Sequence, residues 1–225
     1  MMQKGLKIVV GIFVVLAAVF IILNVTIDGI VKSTIETSGS ELYQTEVKVG
    51  NVNVSVWNGS SEINEFVVYN PGQFSDQPAI EMDEIHLKFD LTTMLSDTIL
   101  IENIRISGAR LFFEQQGFGI NLRQLNENMN LSEEDDEPVV VIDYLIMENA
   151  TVRVSSTIDR ERTAEASIET FELEGIGRNG SNTIKQSMQQ IMEPLIERAI
   201  REAMTGGLLQ QLENRIKDLL GGDDN

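Results

Sequence analysis

The chain predicts an α+β fold, mainly β with helices at both ends, and three observations carry that expectation. Apolar and polar residues alternate in short segments from Val47 to Leu173, the period-two pattern of strands that bury one face. An unbroken apolar run, Ile8 to Leu23, comes before them. A helical recurrence from Ser181 to Leu220 comes after.

No charged residue lies between Lys7 and Asp28. As a helix that stretch spans about 30 Å, one bilayer core. A cleaved signal peptide would have a shorter apolar core ending in a small-x-small site, which Leu23-Asn24-Val25-Thr26 does not offer, so the run reads as an uncleaved single-span membrane anchor. Lys4 and Lys7 on its leading side place the N-terminus in the cytoplasm and the body across the membrane. The chain then divides into a stub and anchor (1–27), a β domain (28–180) and a helical segment (181–225). Asp28 to Tyr43 reads as a helix running off the anchor, with Ile30, Val31, Ile35 and Leu42 at helical spacing and Ser38-Gly39-Ser40 weakening its later part.

Val52, Val54 and Val56 alternate with polar residues, and Asn58-Gly59 follows as a hairpin signal because both tolerate positive φ. A second strand, Ile63 to Tyr69, stops at Asn70-Pro71-Gly72, where Pro71 lacks a ladder donor and Gly72 suits a tight turn. Ala79 to Asp90 is a strand whose apolar parity switches at Asp83-Glu84, predicting an extra residue such as a β-bulge. His86 falls on its polar parity, as a solvent-side histidine with no second metal ligand in sight.

Ile101 to Phe113 and Ile142 to Val154 match position for position: Ile101 with Ile142, Ile104 with Leu145, Ile106 with Met147, Ala109 with Ala150, Leu111 with Val152, Phe113 with Val154. Gly108 and Asn149, two residue types that tolerate left-handed backbone, stand at the same place in each copy. A strand–kink–strand unit therefore occurs twice, as in a sheet extended by like units. Between the copies, Asn121 to Met129 resembles a short helix, and 132–138 forms an acidic break. Its five adjacent carboxylates, Glu133 to Glu137, lack the spaced ligands and central glycine of a calcium loop and read as a solvated linker. Val139 to Met147 is apolar on both parities except at Asp143, predicting cover on both faces. A last strand, Ala164 to Leu173, ends in the glycine-containing stretch up to Gly180.

In the C-terminal segment Ser181 is placed to cap a helix, Pro194 to kink it or mark two packed pieces, and Gly206-Gly207 to act as a hinge. Beyond the hinge Leu208, Leu212, Ile216 and Leu219 line one helical face. That face reads as a cover docked on the sheet rather than a membrane-surface helix, because Glu213, Arg215, Lys217 and Asp218 make its polar side mixed rather than basic.

The net charge of −18, with all 35 acidic residues after Ile27, repels phosphate backbones, so no nucleic-acid partner is expected. With no cysteine and one histidine, disulfides, thiolate sites, His-centred metal sites and triads are not expected either. No nucleophile–base pair is visible; neither an enzyme nor a cofactor is expected.

Taken in order, these segments resemble the AsmA-like envelope proteins of Gram-negative bacteria, in a short single-anchor form. The resemblance covers most of the chain: the anchor and first helix, Val47 to Val52 leading to Asn58-Gly59, and Ile99 to Glu114 with Gly119 to Leu125. Phe171 to Gly177 resembles the closing strand and turn. Asn70, Pro71, Gly72 and Phe74 resemble the family's Asn-Pro-x-Gly-Phe type of turn. The resemblance implies a curved antiparallel sheet forming a groove with an apolar inner face, held at the inner membrane and reaching into the periplasm. Larger relatives are implicated in phospholipid movement or outer-membrane support, and this chain is too short to bridge a periplasm. The expectation is a non-enzymatic protein that binds phospholipid acyl chains and supports envelope integrity. The alternative is a scaffold assembling with envelope proteins through its C-terminal helices.

Overall fold

The computed structural model describes residues 26–94, 96–116, 119–129, 139–156, 163–178 and 182–205. The apolar run at Ile8 to Leu23, the acidic break, the Ser181 cap position and the face of Leu208, Leu212, Ile216 and Leu219 lie outside them.

Helix α1 (26–43) leads into an eight-stranded sheet: β1 (Val47–Ser55), β2 (Ser60–Tyr69), β3 (Pro78–Phe89), β4 (Thr98–Ser107), β5 (Arg110–Gln116), β6 (Gly119–Ile120), β7 (Val139–Ser156) and β8 (Thr163–Ile176). Helix α2 (Asn121–Asn128) lies between β6 and β7, and α3 (Ile184–Thr205) follows β8. The α+β class is as the sequence predicts; among the described residues, no helix is long and apolar enough to cross a membrane.

The sheet is mixed, not antiparallel throughout. β7 runs parallel to β4 and then to β5, pairing each residue of the first repeat copy with the one 41 further on, from Ile101↔Ile142 to Phe113↔Val154. The two copies are thus neighbours in the sheet, aligned as their apolar residues align. Parallel strands need a long crossover, and the chain between β5 and β7, with β6 and α2 in it, supplies one. The remaining pairings, β1–β2, β2–β3, β3–β4, β3–β5, β5–β6 and β7–β8, are antiparallel.

The parity switch in β3 belongs to a line crossing the whole sheet. β1 buries Val49 and then Val52, β2 Ile63 then Val68, β3 Ile80 then Ile85, β7 Met147 then Ala150, and β8 Ile168 then Phe171. Each step is odd, so in these five strands the buried parity switches at one common level while the buried face stays the same. At that level stand Gly50, Glu65, Asp83, Gly108, Asn149 and Glu169, and Glu65, Gly108 and Asn149 hold φ of 56°, 63° and 54°. Because neighbours switch together, the β2–β3 register stays unbroken on either side (Asn64↔Glu84, Phe66↔Met82). An extra residue per strand bends each strand, and in line the bends act on the whole sheet.

One face of the sheet carries the core. Ile80, Leu111, Leu145, Met147, Val152 and Ile168 are at most 2% exposed, each worth about 1.5–3 kcal/mol of apolar burial. α3 packs on β7 and β8, and α2 on β5. The double-sided cover expected for β7 is not found: Val141 and Ile146 are only half-buried on the opposite face. α3 continues through Pro194 as one helix and starts with a capping box at Thr183, whose hydroxyl accepts from the Gln186 amide while Gln186 Oε1 accepts from the Thr183 amide. β8 runs to Ile176, beyond the expected end at Leu173.

α1 lies along the free edge of β1. Asp28 Oδ1 accepts from the Val54 amide at 2.8 Å, Lys32 Nζ donates to the Gly50 carbonyl at 2.9 Å, Glu36 Oε1 accepts from the Val49 amide at 3.0 Å, and Ser40 Oγ accepts from the Val47 amide at 2.9 Å. These residues recur every four positions, one helical stripe, and run antiparallel to β1. Gly39 permits the approach: a Cβ there would already sit 3.2 Å from Val47.

Candidate functional site

The Asn-Pro-Gly turn expected from sequence sits at the sheet end where β2 passes to β3. Pro71 and Asn70 are buried, and the Phe74 amide closes the turn on the Pro71 carbonyl at 2.9 Å. Half-buried Phe74 lies against the β5–α2 connection, close to Gly119. Gly72 does not use a glycine's freedom: its φ is ordinary and a Cβ would meet nothing within 4 Å. At the opposite end the β1–β2 loop spans four residues, 56–59, and only Gly59 is left-handed, at φ 63°, so Asn58 is not needed for a positive φ.

Asn70 belongs to a buried polar network. Its Nδ2 donates to Glu114 Oε2 at 3.2 Å, and its Oδ1 accepts from Asn121 Nδ2 at 2.7 Å. Glu114 also accepts from the Ser75 amide and hydroxyl. Asn121, fully buried, donates to the Phe112 carbonyl at 2.6 Å and accepts from the Glu114 amide at 2.9 Å. Thr45 Oγ1 donates to the Asn70 carbonyl, and Asn128 Nδ2 to the Tyr43 carbonyl. Hydrogen-bond donors compensate the buried carboxylate of Glu114, so the network ties the turn, the end of α1 and α2 together; its role is architectural. Burial alone pushes the Tyr43 hydroxyl well above its ordinary pKa.

The inner face is less completely covered over β2 and β3 than over β5 and β7. Phe66, Met82, Leu87 and Phe89 are half-buried and packed against the core, whereas Leu111, Val152 and Met147 are sealed. The helix packing of α2 and α3 falls on β5, β7 and β8. A row of large apolar side chains therefore runs along β2 and β3 in partial contact with solvent, a surface suited to an extended apolar ligand.

On the opposite face, strand register brings Glu62 and Glu84 to His86, three side chains whose ligand atoms lie within 4.8 Å of one another. His86 Nε2 is 2.9 Å from Glu84 Oε1, and the two side chains are 45% and 40% exposed. The neighbouring depression, about 320 Å³, is lined by Asn53, Ser60, Lys88 and Asn103 among others. Sequence reading left His86 without companions. Glu84 shares its parity two residues away, but Glu62 becomes a neighbour only through the β2–β3 register. The group is open to solvent, where cross-strand charge pairing contributes little. Nearby, Arg110 clamps Asp83 with two bonds and Glu81 with one, holding the Asp83 carboxyl below and the Arg110 guanidinium above their ordinary ranges.

Neither the known family models nor the curated proteins contain a match to this chain.

Proposed function

We propose that this chain is a non-enzymatic protein of the AsmA-like kind, anchored in the inner membrane by its N-terminal run with its body in the periplasm, and that it supports the envelope by holding phospholipid acyl chains against the apolar face of its sheet. The observation that carries the reading is the half-buried row of Phe66, Met82, Leu87 and Phe89. An acyl chain laid along it would remove apolar area from water at about 25 cal/mol per Å² without a specific polar partner.

The test is native mass spectrometry of the full chain extracted in mild detergent. Phospholipid should stay bound to the wild type and be largely lost from Met82→Trp, which fills the row while remaining apolar; circular dichroism should show that variant folded. A lipid-free wild type would overturn the reading.

A further inference from the structure

Among the described residues, the large apolar side chains that remain exposed are Ile30, Val56, Trp57, Leu91, Met94 and Ile184. They are scattered in sequence yet share one end of the molecule. Val56 and Trp57 form the tip of the β1–β2 loop. Leu91 follows β3 and packs beside that tip, 2.9 Å from where a Cβ on Gly59 would stand, and Met94 belongs to the same connection to β4. Ile184 opens α3 beside Val140, whose amide donates to the Asn182 carbonyl near the start of β7. Ile30 is on the first described turns of α1, whose Asp28 is bonded to Val54 at the same end of β1.

Among the described residues the opposite end has the reverse character. There Asn70, Glu114, Asn121 and Ser75 satisfy one another, and the turn residues are polar or buried. An uneven distribution of this kind marks a surface meant to be covered. What covers it is indicated by where the chain enters. Residue 26, the first described residue of α1, lies at the apolar end, and the uncharged stretch before Asp28 leads into it in sequence. At about 1.5 Å per residue, Ile30 stands within roughly 10 Å of the last residues of that stretch.

We propose that this end is apposed to the lipid bilayer, with the 56–59 loop and the Leu91–Met94 connection seated in the interface beside the anchor and Trp57 at headgroup depth. Tryptophan, 73% exposed here, suits that layer because its ring is apolar and its N–H polar. The contact is apolar, not electrostatic. The charges at this end are of both signs: Lys88, whose Nζ donates to the Asn58 carbonyl, stands with Asp90 and Asp97, and the Thr92 hydroxyl and amide hold Asp90 below its ordinary carboxylate range. Anionic headgroups would therefore not strengthen the contact. The inference rests on the anchored reading above and adds which surface meets the membrane.

Trp57 is the chain's single tryptophan, so its emission reports on this loop without any substitution. The full chain is reconstituted into phosphatidylcholine vesicles with plain or brominated acyl chains and floated on a density gradient. Apposition predicts that the protein floats, that Trp57 emission is blue-shifted, that it loses most of its intensity in brominated vesicles, and that it is shielded from aqueous iodide. Replacing half the lipid with phosphatidylglycerol should leave these readings unchanged. Leu91→Asp with Met94→Asp should restore iodide quenching while flotation persists. A floating protein whose Trp57 is quenched by iodide and not by bromolipid would overturn the apposition and leave the anchor standing. Protection from both quenchers would also overturn it, placing the loop against protein, such as a second copy. A chain that does not float would overturn the anchored reading and this inference together.

Discussion

Asn121 and Gly72 lie close together and differ sharply in what they contribute. Asn121→Ala removes three hydrogen bonds and strands the Phe112 carbonyl and the Glu114 amide in a buried site. The expected loss is about 3 kcal/mol, read as a shift in urea midpoint at constant m-value. Gly72→Ala should change stability by under about 0.5 kcal/mol, since it occupies open space at an ordinary φ. Asp83 offers a titration test. Its folded pKa is depressed by Arg110, so its contribution is present above the unfolded carboxylate pKa and is lost as pH falls through the folded value. Carbon-detected NMR should find Asp83 titrating below the ordinary aspartate range, and Arg110→Gln should return it toward that range. At this scale the sequence was legible where a residue's role is local. The turn at Asn70 could be read, but its bonds to Glu114 and Asn121 depend on where β5 and α2 return. Thr183 and Gln186 carry the capping-box spacing, yet Ser181 two residues earlier is an equally good cap by type.

The repeat is the most legible feature among the elements, because the 41-residue offset found in sequence is the register of β4 and β5 on β7. The direction of that pairing was not legible. Alternation looks the same in parallel and antiparallel strands, and direction is decided by the route of the chain between Gln116 and Val139. Gly108 and Asn149 occupy equivalent left-handed positions in the two copies, which predicts unequal tolerance. Asn149→Gly should be neutral or slightly stabilising, whereas Asn149→Val should cost about 1–2 kcal/mol in thermal or urea unfolding. Gly108→Val should cost more, because its Cβ would also run into the Asp83 carboxylate. Glu65 shares the same conformation with no sequence signal, since a glutamate there is imposed by its neighbours in the sheet. The stripe on α1 gives a further test. Glu36→Ala with Ser40→Ala leaves the Val49 and Val47 amides unpaired on an edge strand. The variant should lose about 1 kcal/mol per bond and self-associate, seen as concentration-dependent elution in size-exclusion chromatography.

For the whole molecule, the proposed location of the body rests on the charges flanking the apolar run, and the proposed orientation of the sheet on where the exposed apolar side chains fall. If the body is periplasmic, a single cysteine placed at Asn225 of this cysteine-free chain should react with a membrane-impermeant maleimide in intact spheroplasts. One placed at Gln3 should react only after lysis; the reverse pattern would invert the topology. The switch of buried parity was visible in β3 and as the kink at Gly108 and Asn149, but its alignment across the sheet was not, because it depends on strand register.

The stripe of Asp28, Lys32, Glu36 and Ser40 also has a mechanical meaning. Tension from the N-terminal side would enter the sheet along the axis of α1, parallel to the edge of β1. The four bonds would then be loaded together in shear, instead of being peeled apart one after another from an end. A joint loaded in shear yields only when all its bonds fail at once, so α1 would behave as a stiff strut between its N-terminal end and the sheet. A pull applied at Tyr43 instead would open the same bonds in sequence, beginning with Ser40. Optical-trap measurements with handles at residue 26 or residue 43, and the second handle at Thr205, should therefore record a higher rupture force for the first geometry.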